Sequence, residues 1–228
     1  KNLENKWTVI NKDITKTIFQ GYDKESVQSK IIMLESNNND KTILIVLDKT
    51  PFYPESGGQV GDQGKIIGEN FTLEVFNTQF NGDFIVHYSK LVEGDIKGPY
   101  SVRAFINSNR RHKTKLNHTA THLLHESLRQ VLGKHVQQAG SFVGPDYLRF
   151  DFTHYDKISD NQIYEVEAIV NKVILKNIKL STKIMDINKA KAEGAIAIFG
   201  EKYDDKVRVV NIPSFSKELC GGTHVSNT

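Results

Sequence analysis

The chain has one cysteine, Cys220, placed in CGGTHV four residues before His224. Far upstream, NHTATHLLH sets His118 and His122 at i and i+4, a spacing that stacks two side chains on one face of a helix. Gly221 and Gly222 argue against a helix for the second pair and predict a tight loop whose bend aims Cys220 and His224 at one point. Together the pairs offer one thiolate and three imidazoles, the ligand types zinc prefers. Soft sulfur with nitrogen disfavours magnesium and calcium. Each pair alone is a weak signal: two satisfied or surface histidines, or a buried structural cysteine with a histidine nearby, are common. Both pairs in one small region point to a metal site, and a site using all four requires the end of the chain to fold back against a helix in its middle.

The hydrophobic pattern changes character partway along the chain. SKIIML (29–34), KTILIVLD (41–48), FTLEVFNTQ (71–79), DFIVHYSK (83–90) and PYSVRAFI (99–106) are short, β-branched or alternating, and bounded by turn residues, so they predict strands. ESNNND (35–40) reads as a turn, and Asn81-Gly82 as a hairpin turn. TPFYPESGGQVGDQGK (50–65) is too rich in Gly and Pro for a regular element. Beyond this stretch, Ser108 is placed to cap a helix from Asn109 to about Leu132, ended by Gly133. Leu116, Ala120, Leu123, Leu124, Leu128 and Val131 form its apolar stripe, and at 100° per residue His118, His122 and His125 lie on the opposite, polar side. Two strands around a Gly-Pro turn (137–144, 146–154), a helix capped by Ser159, strand KLSTKIMD, short helix INKAKAEG and strand KVRVVNI complete the pattern. The expected architecture is α+β: an N-terminal subdomain, residues 1–100, that reads as a small β-barrel or sandwich and is taken as β-barrel-like, then a core, residues 101–228, with helices packed on an antiparallel sheet. The boundary is expected within 95–107.

Composition excludes several classes. With 38% hydrophobic and 25% charged residues the chain can build an ordinary core. No apolar run is long enough to span a bilayer as a helix, and KNLENKWTVIN is too polar for a signal peptide. A single cysteine rules out an intrachain disulfide and fits a reducing, cytoplasmic setting. The start at Lys1 rather than Met predicts a piece of a longer chain. A net charge of +3 is compatible with a nucleic-acid partner without demanding one. The local signal is stronger: SNRRHKTK puts Arg110, Arg111, Lys113 and Lys115 at the start of the histidine helix, where cations oppose the helix dipole and a phosphate would relieve the cost. The competing reading is a solvated charged face.

HTATHLLH, CGGTHV and FYPESGGQVGD, supported by FQGYD and RFDFTH, resemble the editing region of alanyl-tRNA synthetases and the free-standing editing proteins related to it. The resemblance runs from about residue 19 to the end. It implies an aminoacyl-tRNA deacylase that hydrolyses the ester of tRNA(Ala) mischarged with serine or glycine. It implies His118, His122, Cys220 and His224 as ligands of Zn2+, and Thr121 and Gln138 beside the editing pocket. It also implies that Gly57 and Gly58 of the glycine-rich loop border the substrate, where the alternative is a structural turn. Partners would be mischarged tRNA(Ala), with Arg110, Arg111 and Lys113 toward the RNA, and the remainder of the synthetase chain. No activation region is present, so the chain is not expected to charge tRNA, and it stops before further strand expected of the family. Two other readings stay open: a free-standing trans-editing deacylase, which FQGYD and the non-Met start disfavour, and a zinc-stabilised tRNA-binding module without catalysis. Four protein ligands suit structural zinc better than catalytic zinc, so the sequence leaves the ion's role between organising and reactive.

Overall fold

The computed structural model describes residues 7–36, 42–197 and 204–228. The chain divides into two compact units, one of Lys1–Ser56 with Val60–Arg111 and one of Gly57–Gln59 with His112–Thr228.

Apart from the first turn of the helix that follows it, the first unit is all β. Its strands are β1 (Thr8–Val9), β2 (Ile18–Phe19), β3 (Ser26–Ser36), β4 (Ile43–Leu47), β5 (Lys49–Thr50), β6 (Gly64–Ile67), β7 (Phe71–Asn81), β8 (Phe84–Gly94) and β9 (Ser101–Ile106). The main sheet runs β1-β3-β4-β8-β7-β6-β9, and β9 pairs back onto β3, closing β3-β4-β8-β7-β6-β9 into an antiparallel barrel. Closure removes the unpaired edges an open sheet would expose. Strand β3 makes it possible by serving two neighbours. Ser26–Lys30 pair with β9, and Ile31–Ser36 pair with β4, across a register shift between Ile31 and Met33. Such a bulge bends a strand and sharpens its twist. Alternation fills the interior: Phe71, Leu73 and Val75 of β7 point in, joined by Ile31, Ile45, Leu47, Phe52, Ile66 and Ala104. The β7–β8 turn falls at Gly82-Asp83 rather than Asn81-Gly82, since Asn81 is already paired with Phe84 and Gly82 carries the positive φ of +59°. The ESNNND turn lies partly outside the described residues.

One buried histidine gives this unit a pH dependence. His87 of β8 is 0% exposed; its Nδ1 donates to the Ile45 carbonyl (2.9 Å) and its Nε2 accepts from the Thr50 hydroxyl (2.8 Å). Burial pushes its pKa down from 6.5 to about 4, against the Ile45 hydrogen bond. The unfolded chain therefore binds a proton below pH 6.5 that the folded chain refuses. Stability from neutral His87 is complete above pH 6.5 and is lost as pH falls toward 4, by about 3 kcal/mol at ~1.4 kcal/mol per pH unit. Urea unfolding of wild type and His87→Gln between pH 7.5 and 4 should show the difference between them shift in the variant's favour by most of that amount as pH falls; parallel curves would refute the assignment.

The second unit is α+β. Helix α1 (Ser108–Leu132) supplies its long central element; β10 (Gln138–Val143) and β11 (Leu148–Phe152) form a hairpin; α2 (Asp160–Leu175), β12 (Ser181–Asp186), α3 (Ile187–Ala192), β13 (Lys206–Ile212) and β14 (Ser216–Leu219) follow. Strands β12-β13-β14 make an antiparallel sheet. Leu123 of α1, Val173 of α2, and Val210 and Ile212 of β13 share one apolar cluster, so helices pack on this sheet. Ser159 caps α2 in a reciprocal capping box with Gln162. Helix α1 is capped by Asn107, not Ser108: the Asn107 Oδ1 accepts from the Arg110 N–H (3.0 Å), while the Ser108 hydroxyl donates to Glu25 (2.7 Å). Gly133, at φ +117°, ends it. Among the described residues no helix is long and apolar enough to cross a membrane.

Candidate metal centre

Helix α1 presents His118 and His122 one turn apart, their rings nearly parallel (6°) with centroids 5.5 Å apart. Strand β14 ends at Leu219, and the chain turns at once into the CGGTH loop. The loop is pinned to β13: the Cys220 N–H donates to the Arg208 carbonyl (3.0 Å), and the Arg208 guanidinium donates to the carbonyls of Cys220 (3.0 Å) and Gly222 (2.9 Å). One ligand atom each from His118, His122, Cys220 and His224 then falls within 4.8 Å of all the others. The Cys220 Sγ lies 3.4 Å from His118 Nε2 and 3.3 Å from His224 Nε2. A tetrahedral site with ordinary Zn–N and Zn–S bonds has edges of roughly 3.3–3.6 Å, so these two edges fit.

Gly222 explains the second glycine of the motif differently from the tight-bend expectation. Neither Gly221 nor Gly222 has a positive φ. A Cβ on Gly222 would instead run into the His118 ring and lie 3.0 Å from Gln59 Oε1. The residue is glycine because the imidazole occupies the space.

Each imidazole is held by its other nitrogen. His118 Nδ1 donates to Gln59 Oε1 (2.7 Å), and His122 Nδ1 donates to Glu218 Oε2 (2.8 Å). His224 Nδ1 meets the Thr119 hydroxyl (3.2 Å), which also accepts from the Val225 N–H (3.3 Å). Outer partners of this kind fix the tautomer that leaves Nε2 free for a metal. The Nε2 of His122 is buried with no hydrogen-bond partner among the described residues. An interior polar atom left so costs about 1–3 kcal/mol unless a ligand satisfies it. The donor set, the aimed nitrogens and this orphaned atom fit a thiophilic divalent ion.

The local charge balance favours a cation. Burial pushes the Cys220 thiol up, but the imidazoles of His118, His224 and His122 outweigh burial and hold it well below the usual thiol range. Burial likewise opposes charge on His122, and Glu218 and Cys220 override it, holding His122 well above its ordinary value. Burial would raise the Glu218 carboxyl; His122 and His125 hold it far below the carboxylate range. Burial pushes His224 down to about 3, so it stays neutral, the form in which imidazole ligates.

The remaining expected residues spread wider. Thr121 is 5% exposed on α1, its hydroxyl donating to the Asn117 carbonyl (2.9 Å). Gln138 opens β10 opposite Phe152. Gly57 and Gly58, at φ +57° and +80°, form a turn whose Gly58 carbonyl accepts from the Val143 N–H (2.8 Å). Lys113 is exposed and Arg110 half-buried. Arg111 is 2% exposed; its guanidinium pairs with Asp62 and donates to the carbonyls of Gly21 (2.6 Å) and Pro51 (3.0 Å). The histidine face of α1 is also not the polar, outer face expected: His118, His122 and His125 are 5%, 7% and 4% exposed, while Leu116 of the apolar stripe is 48% exposed. Gln59, Thr119 and Glu218 went unforeseen. Their only sequence signal is adjacency, to Gly57-Gly58, to His118 and to Cys220.

The two units are a closed barrel and an α+β unit in which an HxxxH helix meets a CxxxH loop beside a small antiparallel sheet. Residues 1–110 match the family described as tRNA synthetases class II (A), and residues 207–228 match the threonyl and alanyl tRNA synthetase second additional domain. An alanine–tRNA ligase from Legionella pneumophila (strain Corby) is 48% identical over 217 residues, covering 92% of this chain and 25% of the relative. One from Shewanella amazonensis (strain ATCC BAA-1098 / SB2B) is 48% identical over 221 residues, covering 94% and 25%. These matches support recognition of the chain as the editing region of an alanyl-tRNA synthetase, and the chain spans about a quarter of the length of the curated relatives it matches.

Proposed function

We propose that the chain hydrolyses the ester of tRNA(Ala) mischarged with serine or glycine, as the proofreading part of an alanine–tRNA ligase. The observation that carries this reading is the convergence of His118, His122, Cys220 and His224, in a chain 48% identical to such ligases. The need for a second site follows from selection by size. A pocket built for a methyl group rejects glycine or serine by only about 1–3 kcal/mol, ~10–200-fold, less than translation requires. Alanine lies between the two in size, so the editing pocket needs a polar contact as well.

Zinc is the ion the donor set suits best, and when bound it supplies Lewis-acid polarisation of a carbonyl. The chain's own part is to hold the ligands in one tautomer and to present polar groups beside them. Thr121, next to His122, has spent its single proton on the Asn117 carbonyl, so its oxygen remains an acceptor for a serine hydroxyl or the substrate amine. Gln138 and the Gly57-Gly58 turn are assigned to the edge of the same pocket. Arg110 and Lys113 are assigned to tRNA phosphates, and the rest of the ligase chain supplies further tRNA affinity, in the cytoplasm.

The deciding assay follows hydrolysis of Ser-tRNA(Ala) and Ala-tRNA(Ala) by the 228-residue chain, with and without a chelator. Selective loss of the serine ester, abolished by chelation and restored by zinc, is expected. A folded, zinc-loaded chain that binds tRNA and turns over neither ester would replace the deacylase with a binding module.

A further inference from the structure

The turn Gly57–Gln59 belongs to the same compact unit as the metal centre although it is remote from the ligands in sequence. Its Gly58 is seated on β10, where a Cβ would lie 2.7 Å from the Ser141 carbonyl, and Gln59 bridges to Val143 of the same strand. Seated this way, the turn carries the Gln59 side chain, 0% exposed, between the helix and the loop that provide the ligands. Its Oε1 accepts from His118 Nδ1 (2.7 Å) and from the Thr223 N–H (2.8 Å), and its Nε2 donates to the Thr223 hydroxyl (2.9 Å).

An amide is suited to this place and a carboxylate is not. Glutamine accepts and donates through one planar group, whereas an ionised glutamate only accepts. The other two outer contacts differ in kind: Glu218 supports His122 alone among the ligands, and the Thr119 hydroxyl supports His224. Gln59 is the one that ties an α1 ligand to the CGGTH loop itself.

We propose that Gln59 is a positioning residue for the metal centre: it fixes His118 as the Nδ1–H tautomer with Nε2 toward the ion, and it locks the CGGTH loop to α1 through Thr223. This rests on the four-ligand reading of the site and adds the glycine-rich turn to it as a structural part of the centre. The turn's glycines then serve to deliver Gln59, whether or not substrate touches them.

The test uses Co2+ and Zn2+ as probes, with affinity from competition against a chromophoric chelator and coordination from the Co2+ d–d and thiolate-to-metal absorption bands. Gln59→Leu is expected to weaken binding of both ions by 10–100-fold and to shift the Co2+ bands. Gln59→Glu, which keeps the acceptor for His118 and loses the donor to Thr223, should recover part of the affinity. The melting curve of each metal-free variant separates lost positioning from lost folding. Should Gln59→Leu fail to fold, Gln59→Asn decides: the same amide, set back by one methylene, is expected to melt normally without metal and still bind more weakly. Wild-type affinity and an unchanged Co2+ spectrum in Gln59→Leu, or in Gln59→Asn where that variant decides, overturn the proposal. A wild-type chain that binds neither ion at one per chain would instead sink the four-ligand reading.

Discussion

Cys220→Ala should strip the chain of its metal and of ester hydrolysis together, each by more than the 10–100-fold expected for losing an outer partner of a ligand. The sulfur is the only anionic member of the set. Without it three imidazole nitrogens face one another with no charge to balance an ion, and the Gly222 N–H, now 3.3 Å from Sγ, loses its acceptor. The fold should survive, because Cys220 packs at the margin of a cluster whose buried members are Leu123, Val173, Leu180, Val210 and Ile212; shortening it costs on the order of 1 kcal/mol. Cys220→Ser keeps the size and the hydrogen bond but holds its proton near neutrality, so it should resemble Cys220→Ala in metal content. Zinc per chain after dialysis against a weak chelator, measured beside Ser-tRNA(Ala) hydrolysis, gives the result directly. Full zinc content with an unchanged rate would remove Cys220 from the centre. Full zinc loss with an unchanged rate would leave the ion an organising role at most.

The convergence of His118, His122, Cys220 and His224 was legible because its chemistry is written in residue type and spacing. Two imidazoles one helical turn apart, and a thiol with an imidazole behind two glycines, restrict what they can do together even before a fold is known. What supports them was not legible. Gln59 and Glu218 carry no spacing rule; they matter because a turn and a short strand bring them to Nδ1 of His118 and His122. The helix face was misjudged for a related reason. Counting leucines assumes one buried side, but α1 is buried by Leu123 in one cluster and by Leu128 in another, while its histidines meet the chain's last residues. The same logic separates the strands. β3, β4, β7, β8 and β9 show alternation or apolar runs long enough to read. β6 hides at the end of the glycine-rich stretch as GKII, β1, β2 and β5 are two residues each, and β14 is SKEL, whose Ser216 and Glu218 face inward on account of the site they serve. The barrel's closure was legible only as a tendency, since the pairing of β9 with half of β3 depends on a bulge that no residue in KIIM announces.

Two cations near the start of α1, Arg111 and Lys113, are expected to give opposite phenotypes. The helix dipole disfavours cations at this end, and the first turn contains no acidic residue. For Arg111 the compensation is internal: Asp62, itself 5% exposed, takes the guanidinium and also accepts from the Tyr53 N–H (2.7 Å). Arg111→Met therefore leaves a buried carboxylate with one backbone donor and no countercharge, and should cost about 3–5 kcal/mol of stability. Arg111→Lys should not rescue it, because a point ammonium cannot reach Asp62, Gly21 and Pro51 at once as the guanidinium does. Removing both charges, as Arg111→Met with Asp62→Leu, should be milder than Arg111→Met alone. Lys113→Ala, at an exposed position, should stay within about 0.5 kcal/mol of wild type. It should instead weaken tRNA binding and lower the slope of log affinity against log salt by roughly one. Urea midpoints and salt titrations on the same proteins test both halves. An Arg111→Met chain as stable as wild type, with a reduced salt slope, would return Arg111 to the RNA and take away its place in the barrel.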